Sequence, residues 1–129
     1  MHRYRMMVCD DDAGYRMLVR TVMRDAADSK GHDVEFVEAQ DGRDCVAGVA
    51  ESAPDCVLLD LEMPGANGWE TLPRLREVIP AGKIVVLSSS APEESSEAVL
   101  KLGADAFVQK PRDIFLLPGL IAEQLGCAA

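Results

Sequence analysis

Short apolar runs alternate along the chain with longer stretches in which apolar residues recur every three or four positions. The short runs are Met6–Cys9, Val34–Val37, Cys56–Leu59, Ile84–Leu87 and Ala106–Val108. Apolar runs of this length are typical of strands that are buried on both faces, as in a parallel sheet. The pattern therefore predicts a buried β-strand at each run.

The stretches between the runs have helical periodicity. Their apolar positions are Tyr15, Leu18, Val19, Val22, Met23 and Ala26 in the first, Cys45, Val46, Val49 and Ala50 in the second, and Trp69, Leu72, Leu75 and Ile79 in the third. We expect Asp12 and Asp41 to be N-caps, because a short acceptor side chain can bind the unpaired N–H groups at a helix start. Arg16, Arg20 and Arg24 form a basic row on the other side of the first helix. We expect this row to be solvated, with contact to an acidic partner as the alternative.

The last two helices are less regular. The fourth is predicted to start at Pro92, Glu93 and Glu94 and to stop near Gly103, since proline and acids favour a first turn and glycine a C-terminal stop. The fifth is expected from about residue 113 to 125. Pro73 and Pro118 fall inside the third and fifth patterns, where a proline costs about 3 kcal/mol. These helices should therefore begin later than the pattern suggests, or kink.

Five strand–helix units in succession predict an α/β fold, a doubly wound (βα)5 domain with a parallel five-stranded sheet between two helical layers. The 129 residues suit one domain. We expect a single domain over residues 1–129, with its core at about 4–125. The start at Met1 and the short C-terminal tail favour a stand-alone protein over one domain of a longer chain.

Charge and cysteine content narrow the function classes. The net charge of −9 argues against direct binding of nucleic acid, because a polyanion would be repelled. No apolar stretch approaches the roughly 20 residues of a membrane span, and the N-terminus lacks the features of a signal peptide, so a cytoplasmic protein is expected. Cys9 and Cys56 lie in apolar runs without a zinc-like spacing, and we expect buried thiols.

Polar residues follow the predicted strands at the carboxyl edge, where function gathers in open parallel sheets. Asp10 and Asp11 follow the first strand, Asp60 the third, a serine run at 88–90 the fourth, and Lys110 the fifth. Each alone is ordinary, since such residues also serve as helix caps, turn residues or solvated charges. Together they would bring repelling carboxylates into one pocket, which favours a bound Mg²⁺, beside a lysine that can bind a phosphate.

The same pocket predicts a reaction. Metal, lysine and hydroxyl describe a phosphoryl site, and the sequence has no P-loop or dinucleotide glycine fingerprint to hold a nucleotide. An aspartate nucleophile that forms an aspartyl phosphate is therefore the mechanism we expect.

Four segments carry a resemblance to a known family. They are MVCDDD (7–12), VLLDLEMPGANG (57–68), IVVLSSSA (84–91) and GADAFVQKP (103–111). Together, and in this order, they resemble the receiver domain of two-component response regulators of the chemotaxis type. The resemblance covers about residues 4–125 and implies the flavodoxin-like strand order 2-1-3-4-5, which is taken from the family.

The resemblance also implies roles for single residues. Asp60 would be the phosphoacceptor, and Asp10 and Asp11 would hold Mg²⁺ together with Asp60 and the backbone carbonyl of Glu62. Ser88 would be the switch hydroxyl that moves toward the phosphoryl group.

Three further residues complete the set that the resemblance implies. Lys110 would contact the phosphate, and the family often has a cis bond before the next residue, here Pro111. Ser89 would be the small residue that leaves the phosphate accessible. Phe107 stands where an aromatic residue swings inward on activation, and lacks the hydroxyl of the tyrosine that many members have. The alternative is that Phe107 is always part of the core.

The leading prediction is a signalling module. It would take a phosphoryl group from a sensor histidine kinase or a histidine phosphotransfer protein onto Asp60, with Mg²⁺, and then present an altered surface to an unknown protein target. It would catalyse only its own phosphorylation and dephosphorylation. The alternative is a receiver-like interaction module that works without phosphorylation. A small phosphatase with Asp60 as nucleophile and Glu62 as acid/base is less favoured, because no substrate pocket is evident.

Overall fold

The structure is a computed structural model that describes residues 3–63, 68–89 and 95–125. Its strands are β1 (Arg3–Cys9), β2 (Asp33–Ala39), β3 (Cys56–Asp60), β4 (Lys83–Ser88) and β5 (Ala106–Gln109). Each strand contains one of the predicted apolar runs, and the middle strand β3 is buried along its whole length. The five predicted strands are therefore confirmed.

The strands form one parallel sheet in the order β2-β1-β3-β4-β5. The order reverses direction between β1 and β3, which are adjacent in the sheet. In open parallel sheets a ligand-binding crevice forms at such a switch point, beyond the carboxyl ends of the strands. The expected fold class and strand order are both confirmed.

The helices are α1 (Ala13–Ser29), α2 (Gly42–Ser52), α3 (Gly68–Val78), α4 (Ser95–Lys101) and α5 (Leu117–Leu125), with a 3₁₀ turn at Ile114–Leu116. Both predicted N-caps are confirmed. The Asp12 carboxylate accepts from the backbone N–H of Tyr15 at 3.2 Å, and the Asp41 carboxylate from that of Asp44 at 2.8 Å. The predicted start of the fourth helix at residues 92–94 lies outside the described residues. None of the helices in the described ranges combines the length and apolar character that crossing a lipid bilayer requires.

The two prolines are accommodated in different ways. The last helix begins at Leu117, which places Pro118 in its first turn, where the missing N–H costs nothing because no helical partner exists there. Pro73 lies inside α3, so that helix lacks one internal hydrogen bond. Gly103 follows α4 with a φ of +120°, a backbone conformation that favours glycine, as expected of a helix stop.

The core consists of an apolar cluster on each face of the sheet. One cluster joins alternate residues of the inner strands to α2, α3 and α4, and contains Cys9, Cys45 and Leu72. The other joins the opposite strand positions to α1 and α5, and contains Cys56. Cys9 and Cys56 are buried free thiols, as predicted.

Two predictions for α1 were wrong. Leu18 was placed on the core face, but it is 50% exposed. The arginine row was expected in solvent, but only Arg24 is exposed, whereas Arg16 and Arg20 are partly buried against the edge strand β2. Arg16 and Arg20 form ion pairs with Glu38 at 3.1 and 3.3 Å, and Arg24 lies 5.2 Å from the Phe36 ring centroid. The acidic partner of the row is therefore this chain's own second strand.

Candidate functional site

The strand register brings the predicted site residues to one edge of the sheet. Asp60, the last residue of β3, pairs with Leu87, the residue before Ser88 in β4. The ladder continues beyond β5, where the Lys110 N–H donates to the Ser88 carbonyl at 2.8 Å. Asp10 directly follows β1, which is the other neighbour of β3. Because all these strands are parallel, their carboxyl ends bring the four side chains together.

Three carboxylates meet at this edge. One oxygen each of Asp10, Asp11 and Asp60 lies within 4.8 Å of the others. Asp10 and Asp60 are each only 3% exposed, whereas Asp11 is exposed. Backbone N–H groups hold the buried pair in place, since that of Asp12 donates to Asp10 Oδ1 at 2.9 Å and that of Glu62 to Asp60 Oδ1 at 3.2 Å. The cluster thus combines two fixed acids with one that is open to solvent.

Lys110 bridges the two buried carboxylates. Its Nζ lies 3.0 Å from Asp10 Oδ2 and 3.4 Å from Asp60 Oδ1. The ammonium also lies 4.3 Å from the centroid of the Tyr15 ring, which supplies an additional attraction for a cation. Burial lowers the pKa of Lys110, but the Asp10 hydrogen bond and the charge of Asp60 outweigh it, so the pKa is raised overall. Lys110 is therefore a fixed positive charge.

One ammonium does not neutralise this group of acids. The pKa of Asp60 is raised from 3.8 to about 6, mainly because burial penalises the charged form. The charge of Asp10 raises it further, while Lys110 and the Glu62 N–H lower it without reversing the shift. A carboxyl whose pKa is raised by burial and by a neighbouring acid is typical of functional sites.

The hydroxyls at the end of β4 face a fourth acid. Ser88 is fully buried, and its Oγ donates to Glu62 Oε1 at 2.5 Å. Ser89 is exposed, and its Oγ and backbone N–H approach Glu62 Oε2 at 3.2 and 3.4 Å. The resemblance implies a role only for the backbone carbonyl of Glu62. In the structure its side-chain carboxylate also accepts hydrogen bonds from both serines.

Phe107 occupies an intermediate position. Its side chain is partly buried and packs against the apolar cluster on the α2–α4 face. This geometry lies between the exposed and the fully buried states that the resemblance implies. The peptide bond between Lys110 and Pro111 is trans, as are all the described peptide bonds, so the expected cis bond is absent there.

Several contacts of the site could not be predicted from the sequence. Arg16 donates to the backbone carbonyl of Asp10, although it was read only as part of a charged row. Tyr15 packs against the apolar cluster on the α1–α5 face, as its helical position predicts, but its ring also faces Lys110. Gly68 packs so closely that a Cβ there would lie 2.6 Å from the Asp60 carbonyl oxygen and from Leu61 Cα. The family motif includes this glycine, but only the structure gives its physical reason.

Comparison with known proteins identifies the family. The profile of the response regulator receiver domain matches residues 6–121. The nitrate/nitrite response regulator NarL of Escherichia coli K12 is 45% identical over 90 residues, which are 67% of this chain and 42% of NarL. The chain thus spans less than half the length of that relative. The chemotaxis protein CheY of Thermotoga maritima is 32% identical over 107 residues, which are 83% of this chain and 85% of CheY.

A solved structure agrees with these relatives. The response regulator domain of Thermotoga maritima CheB superposes with a TM-score of 0.79 at 28% identity, covering 96% of this chain and 95% of that one. The parallel five-stranded sheet, with an acidic cluster at its carboxyl edge, defines an α/β domain of the flavodoxin-like receiver fold. The chain belongs to the response regulator receiver family of two-component systems. Receiver domains are signalling domains that interact with kinases and downstream effectors.

The donor set fits the Mg²⁺ that this family binds at an acidic pocket. Mg²⁺ binds oxygen ligands and uses one or two carboxylates together with waters and phosphate oxygens. Asp10, Asp11 and Asp60 each offer one carboxylate oxygen, and these oxygens lie within 4.8 Å of one another. Two of the three acids are already fixed by backbone N–H groups.

Proposed function

We propose that this domain accepts a phosphoryl group on Asp60 from a phosphohistidine donor and then changes its surface for a partner protein. The observation that carries the proposal is that Lys110 bridges Asp10 and Asp60 within a cluster of three carboxylates. A carboxylate that would serve as the nucleophile, an acidic pair suited to a divalent cation, and an ammonium suited to a phosphate oxygen thus lie side by side at one edge of the sheet.

Asp60 would act as the nucleophile in its ionised form. With a pKa of about 6, most of the carboxyl is ionised at neutral pH. Oδ1 is engaged by the Glu62 N–H and by Lys110, so we expect Oδ2 to attack phosphorus. The new P–O bond would form as the P–N bond of the donor breaks, and the imidazole would leave with the electron pair. Hydrolysis of the acyl phosphate by water would return Asp60 to its carboxylate.

The other residues would stabilise the charge on the phosphoryl oxygens. Lys110, 3.4 Å from Asp60 Oδ1, would bind one of them. Ser88, at the end of β4, would donate to another once its present hydrogen bond to Glu62 is released. Asp10, Asp11, Asp60 and the backbone carbonyl of Glu62 would hold Mg²⁺. The bound ion would neutralise the carboxylates and coordinate a phosphoryl oxygen.

Labelling by a small phosphodonor tests the proposal directly. The chain is incubated with acetyl phosphate and Mg²⁺, and its intact mass is measured. We expect the mass of one phosphoryl group to be added to the wild type, and no addition to Asp60→Asn or in the presence of EDTA. The matched control is Asp28→Asn, which makes the same charge change at an exposed position near the end of α1 and should label normally.

The result also separates this proposal from its alternative. A wild type that is never labelled, or a label that survives Asp60→Asn, would refute the phosphoacceptor role. If a partner protein bound with equal affinity in the presence and absence of a phosphoryl analogue, a phosphorylation-independent interaction module would then be favoured.

We propose a sensor histidine kinase or a histidine phosphotransfer protein as the donor, and the cytoplasm as the compartment. The free thiols of Cys9, Cys45 and Cys56 are consistent with a reducing environment.

A further inference from the structure

The carboxylate of Glu62 accepts hydrogen bonds from donors at the end of β4. Ser88 Oγ donates to its Oε1 at 2.5 Å, and Ser89 Oγ donates to its Oε2 at 3.2 Å. The Ser89 backbone N–H also points at Oε2, at a longer 3.4 Å. The carboxylate of one exposed glutamate therefore accepts from the polar groups at the end of β4.

These donors are needed elsewhere once Asp60 is phosphorylated. A serine hydroxyl has a single proton to donate, so Ser88 cannot serve Glu62 and a phosphoryl oxygen at the same time. The carboxylate and a phosphoryl group are both anions that present oxygen acceptors. Glu62 lies two residues after Asp60, and its charge is close enough to contribute to the electrostatics of that carboxyl. The Glu62 carboxylate and a phosphoryl group on Asp60 would thus compete for the same hydrogen-bond donor, the Ser88 hydroxyl.

We propose that the Glu62 carboxylate is an internal competitor of the phosphoryl group, which holds the Ser88 hydroxyl in the unphosphorylated state and must release it on activation. Glu62 is then a positioning residue for the switch. This inference rests on the proposed function of Asp60. Because Glu62 is exposed, its side chain can rotate into solvent without disturbing the core, while its backbone stays beside Asp60.

Competition predicts tighter binding of a phosphoryl analogue when the carboxylate is removed. The probe is beryllofluoride with Mg²⁺, titrated by calorimetry into the wild type, Glu62→Gln and Glu62→Ala. A hydrogen bond to a charged acceptor is stronger than one to a neutral acceptor, so we expect the dissociation constant to fall by about tenfold for Glu62→Ala, with Glu62→Gln in between. Glu51→Gln, an equal charge change at an exposed position near the end of α2, is the control and should bind like the wild type.

A second background separates hydrogen-bond competition from simple charge repulsion. Ser88→Ala itself should weaken beryllofluoride binding, because it removes a proposed donor. Within that background, Glu62→Ala should improve binding by less than about threefold, since the hydroxyl for which Glu62 competes is gone. A gain that stays near tenfold without Ser88 would mean that Glu62 acts through its charge alone, and would overturn the proposal.

An observation on the free protein supplies an independent readout. In a ¹H–¹⁵N spectrum without ligand, Glu62→Ala should shift the Ser89 amide signal. The control Glu51→Gln should leave that signal at its wild-type position. Failure of the wild type to bind beryllofluoride would refute the proposed function itself. Normal binding and labelling of the wild type, with no tightening in either Glu62 variant, would refute only the competition.

Discussion

Asp60 is the position at which the proposed chemistry and the stability of the fold oppose each other. Its carboxyl is 3% exposed, and its pKa is raised to about 6, mostly by burial. The ionised form is therefore a strain on the folded chain. Asp60→Asn keeps the size of the side chain and removes the charge. We expect this variant, without metal, to be more stable than the wild type at neutral pH.

The magnitude follows from linkage between protonation and folding. The pKa is 3.8 at its ordinary value and about 6 in the folded chain. At about 1.36 kcal/mol for each pKa unit, this difference corresponds to about 3 kcal/mol. Asparagine should recover about 2–3 kcal/mol, because Lys110 keeps its 3.0 Å partner Asp10 and is not left without a counter-charge.

The sign of the pH dependence is equally specific. Between about pH 4 and pH 6 the unfolded carboxyl has lost its proton while the folded one still holds it, so the unfolded state binds fewer protons. The Asp60 contribution to wild-type stability is then complete below about pH 4 and is lost as the pH rises through about 6. Asparagine does not titrate. The advantage of Asp60→Asn should thus be near zero at about pH 4 and should reach its maximum above about pH 6.5.

Urea unfolding followed by circular dichroism measures this difference. Wild type and Asp60→Asn are unfolded in EDTA at about pH 4 and about pH 7.5, and the free energies of unfolding are obtained by linear extrapolation. Asp12→Asn is the control, since it removes the same charge from an exposed neighbour and keeps a good N-cap. Its free energy of unfolding should stay within about 0.5 kcal/mol of the wild type at both pH values.

Two results would refute the reasoning. If Asp60→Asn were no more stable than the wild type at about pH 7.5, ionisation of Asp60 would not strain the fold. If the free energy of unfolding of Asp60→Asn exceeded that of the wild type by the same amount at both pH values, the effect would come from packing and not from ionisation. Addition of Mg²⁺ should narrow the gap, because binding to the wild type stabilises its folded state.

Two further predictions follow from the backbone around the site. Gly68→Ala should cost about 1–3 kcal/mol by overpacking and slow labelling by acetyl phosphate, since the new Cβ would lie 2.6 Å from the backbone of Asp60 and Leu61; unchanged stability and labelling would contradict this. Asp12→Ala should cost about 1 kcal/mol in urea unfolding, the usual value of an N-cap. It should leave phosphorylation intact, because its backbone N–H still holds Asp10, whereas Asp11→Ala should abolish labelling; the reverse outcome would shift the metal site by one residue.

The features that the sequence predicted well are those with local causes. A buried strand needs only a short apolar run, and an N-cap such as Asp41 needs only its own helix start. The errors in α1 have non-local causes. Which side of that helix meets solvent depends on the edge strand beside it, and Glu38 of that strand draws Arg16 and Arg20 inward. Helical periodicity alone could not show this.

The same distinction holds for the site. Strand ends placed Asp10, Asp60, Ser88 and Lys110 at one edge because parallel strands end together. The family motif supplied their expected roles. Neither source predicts where a long side chain turns, so the contacts of the Glu62 carboxylate with the serines were missed, as was the ring of Tyr15 against Lys110.

The balance of charge connects the site to its switching. The ammonium of Lys110 pairs with Asp10 and Asp60, the carboxylate of Asp11 lies near these two acids, and Glu62 adds a further negative charge. The free protein tolerates this excess by raising the pKa of Asp60 and by turning Glu62 onto serine donors. A divalent cation would reduce the repulsion that raises the pKa of Asp60. A phosphoryl group would displace Glu62 from the serine donors. Under the proposed function, activation would therefore use groups that the resting site already contains, namely the carboxylate of Asp60 and the Ser88 hydroxyl that Glu62 releases.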